Sequence, residues 1–345
     1  AIFDQRGFSY WQNCGFQACD FWRDQFEGLL QAFKLIRQEP PKRPLRSMAF
    51  CWSDASWNCP DSGVITIQNY SDAILDVRTS KSENVPFLYE EARKNHLQAG
   101  FLADLACIDK LTEKDVHTLL LPPLKGVPAS QLAVIRKLHA RGVSLVGCEN
   151  VSGLEDLFGV EDTGQFTRVQ HLRGSRGFLA GQSEFCSEEK CLGSHRVRGA
   201  RVLLQAEIPV LTLKKNNQAF AAFFNVPPTF VNVDRHIRLG YGRNSISPLI
   251  NRAAGLLLSK LDRSPVKVSD GLLVACRSQK NHSVILVENP SENEPLLPEL
   301  RIRCEPGLRL LRSASVPCTM LKKTAKEIIL RLTIPAEETA VLIFQ

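Results

Sequence analysis

Side chains able to handle a sugar cluster near the start of this chain. All four of its tryptophans, Trp11, Trp22, Trp52 and Trp57, fall within the first 57 residues. An indole face suits the apolar face of a pyranose ring, and its N–H offers one donor to a hydroxyl. Trp11, Trp52 and Trp57 are therefore candidate sugar-binding residues, while Trp22 falls on a helix. The plainer alternative is that the indoles fill a seam between two domains. Hydrolysis of a glycoside needs two carboxylates held roughly 5 to 9 Å apart. Asp4, Asp20, Asp54, Asp61 and Glu149 are available, but no pattern selects a pair, and each reads as a cap or a surface charge. No catalytic residue is assigned. Cys186, Cys191 and His195 sketch a metal site without a CxxC pair or a convincing fourth ligand, so no metal is expected. Neither GxxxxGK(S/T) nor GxGxxG occurs, and Gly240-Tyr241-Gly242 lacks the helix-opening third glycine, so no nucleotide cofactor is expected.

The elements that would position such groups are organised around residues 115–150. Val116, Leu119, Leu120 and Leu121 form an apolar run closed by Pro122-Pro123, as suits a buried parallel strand. A helix opening at Pro128-Ala129-Ser130 carries Leu132, Ile135, Leu138 and His139 at helical spacing, and Gly142 stands where a left-handed cap is cheapest. Residues 143–148 give a second strand, apolar on both faces. Upstream, residues 1–44 read as strand, loop and an amphipathic helix. Asp20 caps that helix, and Phe21, Phe26, Leu29, Leu30, Phe33 and Ile36 line it before Pro40-Pro41. Residues 46–53 are a strand, 54–84 a long polar loop, 85–100 a helix, 101–107 a strand and 154–158 a short helix ending at Gly159. Strands 210–213 and 218–225 flank the turn at Lys215-Asn216-Asn217, and residues 245–261 form a last helix. Residues 265–345 carry only short strands broken by Pro, Gly and Asn, as in a small antiparallel β-sandwich.

Length and composition set the frame. A chain of 345 residues, 44% apolar, has room for two or three packed domains. No run approaches the roughly 20 apolar residues of a spanning helix, so no membrane partner is expected. The net charge of +7 is spread out, and the basic region 168–201 lacks interleaved aromatics, which argues against nucleic acid. Eleven scattered cysteines predict reduced thiols in a cytoplasmic setting. A start at Ala1 in mid-strand character predicts a processed chain or a fragment.

Two resemblances follow. Cys148, just past a strand of a doubly wound α/β sheet, makes the domain similar to class I glutamine amidotransferases, whose fold is flavodoxin-like. That family places its nucleophile in a GxCxG elbow with a later His-x-Glu. Here Gly147-Cys148-Glu149-Asn150 lacks the second glycine, and none of the seven histidines is followed two residues later by an acid. Cys148 thus reads as a small buried residue, with a thiol amidotransferase as the remaining alternative.

The order RSMAFCWS, VPFLYEEARKNHLQAGF, DVHTLLLPPL, SQLAVIRKLHARGVSLVG, LEDLFGV and PVLTLKKNNQAFAAFF resembles glycoside hydrolase family 42 β-galactosidases downstream of their catalytic barrel. The resemblance implies three parts: the last βα unit of a (β/α)8 barrel at 1–44, an amidotransferase-like trimerisation domain at 45–262, and a C-terminal β-sandwich at 263–345. It implies carbohydrate as the substrate of the intact enzyme and a homo-oligomer, a trimer, as the assembly. The family's catalytic glutamates lie on earlier barrel strands and match no position here. A stand-alone carbohydrate-binding or assembly module is the alternative.

Overall fold

Five successive residues of the strand Val116–Leu120, and five more at Ser144–Cys148, are buried, which requires cover on both sides of their sheet. The computed structural model describes residues 38–39, 41–57, 65–68, 74–77, 88, 91–98, 101–186, 192–226, 229–231, 243–245, 247–291, 293–303, 310–314, 316–336 and 338–345. The chain divides into two units, one made of residues 48–95 and 101–263, the other of 1–47, 96–100 and 264–345. Strand dominates both among the described residues.

The first unit holds a nine-stranded sheet. In chain order its strands are β2 (Ser47–Trp52), β5 (Phe101–Asp104), β6 (Val116–Leu120), β7 (Ser144–Cys148), β9 (His171–Gly174), β10 (Ser183–Phe185), β12 (Arg201–Gln205), β13 (Pro209–Asn216) and β14 (Ala219–Phe224). Their spatial order is β10-β9-β12-β13-β14-β7-β6-β2-β5. The pairs β2/β5, β6/β7 and β7/β14 are parallel, and the strands from β14 through β13, β12 and β9 to β10 pair antiparallel. A ribbon of β8 (Val160–Arg168) with β11 (Leu192–Val197), and the hairpins β3 (Ile65–Gln68)/β4 (Ile74–Val77) and β15 (Thr229–Val231)/β16 (Arg243–Ser245), pair apart from it. Residues 54–84, expected as a loop, thus contain a helical turn and a hairpin, because Ile65-Thr66-Ile67 and Ile74-Leu75-Asp76-Val77 alternate at strand period.

Helices α1 (Asp54–Trp57), α2 (Ala129–Ala140), α3 (Glu155–Phe158) and α4 (Pro248–Leu261) accompany these strands. Ile135 and Leu138 of α2 and Phe158 of α3 share one core with Leu119, Leu145 and Phe223. Gly142 has φ +97° and Gly159 φ +66°, as their cap positions require. Helix α4 starts on a doubled cap. Ser247 Oγ accepts from the amides of Leu249 and Ile250, while Glu184 accepts from the Ser247 hydroxyl and the Leu249 amide. Its far end meets β6, where Asp262 Oδ1 lies 3.4 Å from Nε2 of buried His117. The helix expected over 85–100 ends early: its described turn closes at Lys94, and His96 takes φ +54°.

The second unit is a β-sandwich. One sheet runs β1-β18-β19-β24-β21, from β1 (Pro41–Pro44), β18 (Leu272–Ser278), β19 (Ser283–Glu288), β21 (Leu310–Ala314) and β24 (Thr339–Phe344). The other runs β17-β20-β23-β22, from β17 (Val266–Val268), β20 (Glu299–Arg303), β22 (Cys318–Lys323) and β23 (Glu327–Leu332). Their facing residues form one core that includes Ala275, Ile285, Leu342 and Phe344 with Leu300, Ile302, Ile328 and Leu330. Pro41–Pro44, grouped by sequence with the N-terminal unit, is an edge strand here, and Glu39 beside it accepts from Lys280 and faces His282. Edge strand β22 carries a bulge between Met320 and Lys322. No described helix is long and apolar enough to cross a membrane.

Candidate functional site

In a parallel sheet the carboxyl ends of the strands are where loops gather chemistry. Trp52 ends β2 opposite Asp104 at the end of β5. Ser56, in the turn after β2, donates its hydroxyl to the carbonyl of Pro123, just past β6, so these strands finish on the same edge of the sheet. Cys148 and Phe224 end β7 and β14 side by side. Five strand ends therefore converge.

The polar groups at these ends are engaged in holding the chain. Ser53 Oγ accepts the Ser56 amide at 3.2 Å and opens α1. Asp104 accepts the Ala106 amide at 2.8 Å, capping the 3₁₀ turn Leu105–Lys110. Asn150 accepts the Ser152 amide at 3.0 Å. Asn225, only 2% exposed, acts as a latch. Its Oδ1 accepts the His195 amide at 2.9 Å, and its Nδ2 donates to the carbonyls of His195 and Pro209, both at 2.8 Å. A single side chain thus replaces a missing stretch of ladder between β11 and the strand ends.

Cys148 is fully buried, and burial, with the Glu149 charge behind it, pushes its thiol well above the ordinary value. A thiol in that state is not a nucleophile. Glu149 takes φ +61°, so the chain turns sharply after the cysteine, but the turn serves the backbone: the Glu149 amide donates to Phe224 O at 2.7 Å. Gly147 is small for a packing reason, since a Cβ there would stand 2.6 Å from Val151 Cγ1 and 3.2 Å from Phe158 Cζ.

Burial disfavours the charged form of two histidines. His195 packs edge-on against Phe223 at 4.7 Å between centroids, and burial lowers its pKa against the pull of Asp162. His139 has one hydrogen bond on each ring nitrogen, 2.8 Å from Nδ1 to the Val143 carbonyl and 2.9 Å from Nε2 to Asn216 Nδ2. A carbonyl needs a donor and an amide nitrogen needs an acceptor, so only the neutral Nδ1–H tautomer satisfies both. Burial lowers its pKa in the same direction.

Of the sugar-contact candidates, Trp52 is half-buried at the sheet edge and Trp57 closes α1 after it, its side chain outside the described residues. The structure brings these two positions into one strand-to-helix turn. Trp11 lies outside the described residues, as do Trp22, Asp4, Asp20, Asp61 and Cys191; Cys186 is buried. Among the described residues no cluster of three metal-ligating side chains occurs. Sequence reasoning missed Ser56 and Asn225, although Asn225 stands just before Val226-Pro227-Pro228, where a strand must stop.

No protein-family model and no curated protein matches the chain. Solved structures do. A β-galactosidase from Bacillus circulans sp. alkalophilus aligns with TM-score 0.56 at 14% identity, over 94% of this chain and 44% of its own. An α-L-fucosidase isoenzyme 2 from Paenibacillus thiaminolyticus gives 0.55 at 12%, over 88% and 49%. A β-galactosidase from Rahnella sp. R3 gives 0.51 at 13%, over 91% and 43%. The chain spans less than half the length of each. Its fold is thus the fold of a large part of these glycosidases.

Proposed function

We propose that the chain is the non-catalytic C-terminal part of a β-galactosidase-like glycoside hydrolase acting on carbohydrate. One observation carries this reading: nearly the whole chain aligns with less than half of two β-galactosidases and an α-L-fucosidase. In this reading the α/β unit is a flavodoxin-like, amidotransferase-like domain that supports a homo-trimer and borders the active-site mouth. The order β5-β2-β6-β7-β14 supports it, because numbered by sequence it is the 2-1-3-4-5 order of flavodoxin. Trp52 and Trp57, with Trp11, would wall the sugar site from the carboxyl edge of the sheet. Among the described residues Cys51, Cys107, Cys148, Cys276 and Cys318 are free thiols, which fits a cytoplasmic setting. The burial of Cys148 weighs against the thiol amidotransferase alternative.

The test is made on the native protein. Intact mass, light scattering and hydrolysis of a chromogenic β-galactoside should give a subunit roughly twice this length, assembled as an active trimer. A native subunit of 38.5 kDa without hydrolysis would overturn the enzyme reading and leave a binding or assembly module.

A further inference from the structure

The outer face of the sheet β17-β20-β23-β22 concentrates positive charge that no stretch of sequence reveals. Alternation turns Val266, Val268, Leu300, Ile302, Ile328 and Leu330 into the sandwich core, so the residues between them face outward. Register then aligns Lys267 with Arg301, Arg301 with Ile329 and Ile329 with Lys322, one row across four strands. Arg331 lies in the next row, between Glu299 and Thr319, and Arg303 lies opposite Glu327. Among the described residues of these strands, five cations from four separate strands thus share the face with two carboxylates.

Those carboxylates do not neutralise it. Glu327 is divided between Arg301 at 3.7 Å and Lys322 at 3.4 Å, and Glu299 meets Arg331 at 3.1 Å. The three cationic side chains remain 53–55% exposed, and exposed pairs of this kind are weak and easily exchanged for a stronger anion. With strands about 4.8 Å apart, the row spans about 14 Å, and Arg301 and Arg303 stand about 7 Å apart along β20. One small anion meets one or two of these groups; filling the row takes a polymer with repeated charges.

We propose that this face binds an acidic polysaccharide, a glycan bearing sulfate esters or uronate carboxylates. Guanidinium forks pair with such groups bidentately, and the lysines at the row's ends add point charges. The four strands contain no aromatic residue on which bases could stack. The preference for a glycan over other polyanions rests on the carbohydrate reading above.

The full chain is tested on immobilised dextran sulfate and neutral dextran, with duplex DNA and phosphatidylserine vesicles as competitors. Dextran sulfate should retain the chain at about 0.1 M salt and neutral dextran should not, with neither competitor displacing it. The double variant Arg301→Gln/Arg303→Gln and, separately, Lys267→Gln should weaken retention and lower the salt slope by about one per cation removed. Arg136→Gln, in the α/β unit, should change neither, and thermal melts of all variants should match the parent. Equal retention on both matrices, an equal loss with Arg136→Gln, or displacement by DNA or vesicles would overturn the proposal. Galactoside hydrolysis by the native protein decides the functional reading alone, so either can fail while the other stands.

Discussion

The two units solve burial in opposite ways. In the α/β unit the central strands are sunk on both faces, and the polar groups at their ends are spent on caps and latches. In the sandwich one face of the four-stranded sheet is core and the other is charged, so β20 and β23 alternate where β6 and β7 do not. The contrast teaches where variation is tolerated. A central parallel strand has no idle position, whereas every second residue of an outer sandwich strand is open to solvent and to selection for binding.

The largest effects should sharpen that contrast. Leu119→Ala and Leu120→Ala are neighbours on opposite faces of β6, and each should cost about 2–5 kcal/mol in denaturant unfolding. In β20, Ile302→Ala should cost a similar amount, whereas Arg301→Ala should stay within about 0.5 kcal/mol. A cheap Leu120→Ala would break the comparison.

Next comes Asn225→Ala. It leaves a buried amide and two carbonyls without their partner and should cost about 1–3 kcal/mol, with faster amide exchange at His195 than at β6. If exchange at His195 is unchanged, the latch is not what holds β11.

A pH dependence should separate the units further. His139 and His195 both have folded pKa values below the ordinary 6.5. Below about 6.5 the unfolded chain binds protons that the folded chain refuses, so stability is full above that value and falls as the medium is acidified through it. His139→Gln should flatten the pH 7 to 5 loss measured by melting. An unchanged slope would mean that His139 takes up its proton in the folded state after all.

The smallest effect concerns the β8/β11 ribbon. Arg196 and then Arg198 hold the Glu161 carboxyl down at about 2, with every partner exposed. NMR titration should find that midpoint low, and Arg196→Gln should raise it toward 4.5 without a measurable change in melting.

The sequence made the α/β core legible where apolar runs, proline stops and capping glycines agreed. Val116 to Leu121, the α2 face, Gly142, Gly159 and the turn before Ala219 all read from local pattern. Strands β21, β22 and β17 did not, because β17 is three residues long and Lys322-Lys323 obscure the alternation of β22. Distance in sequence hid the rest. Asn225 meets His195 and Pro209 only through the fold, and His139 carries the periodicity of a core residue with no hint of Asn216, 77 residues on. The cationic row is invisible for the same reason, each charge being ordinary in its own strand.

One small irregularity bears on how copies of this protein meet. Among the described residues strand β22 ends its sheet, and an edge strand could template a strand from another molecule. The extra residue at Leu321 shifts the register partway along that edge, and Lys322 and Lys323 follow at once. A second copy pairing there meets an interrupted ladder and two adjacent lysines. Crowded chains are thereby kept from growing into a shared sheet, and the adjacent cationic row is left open.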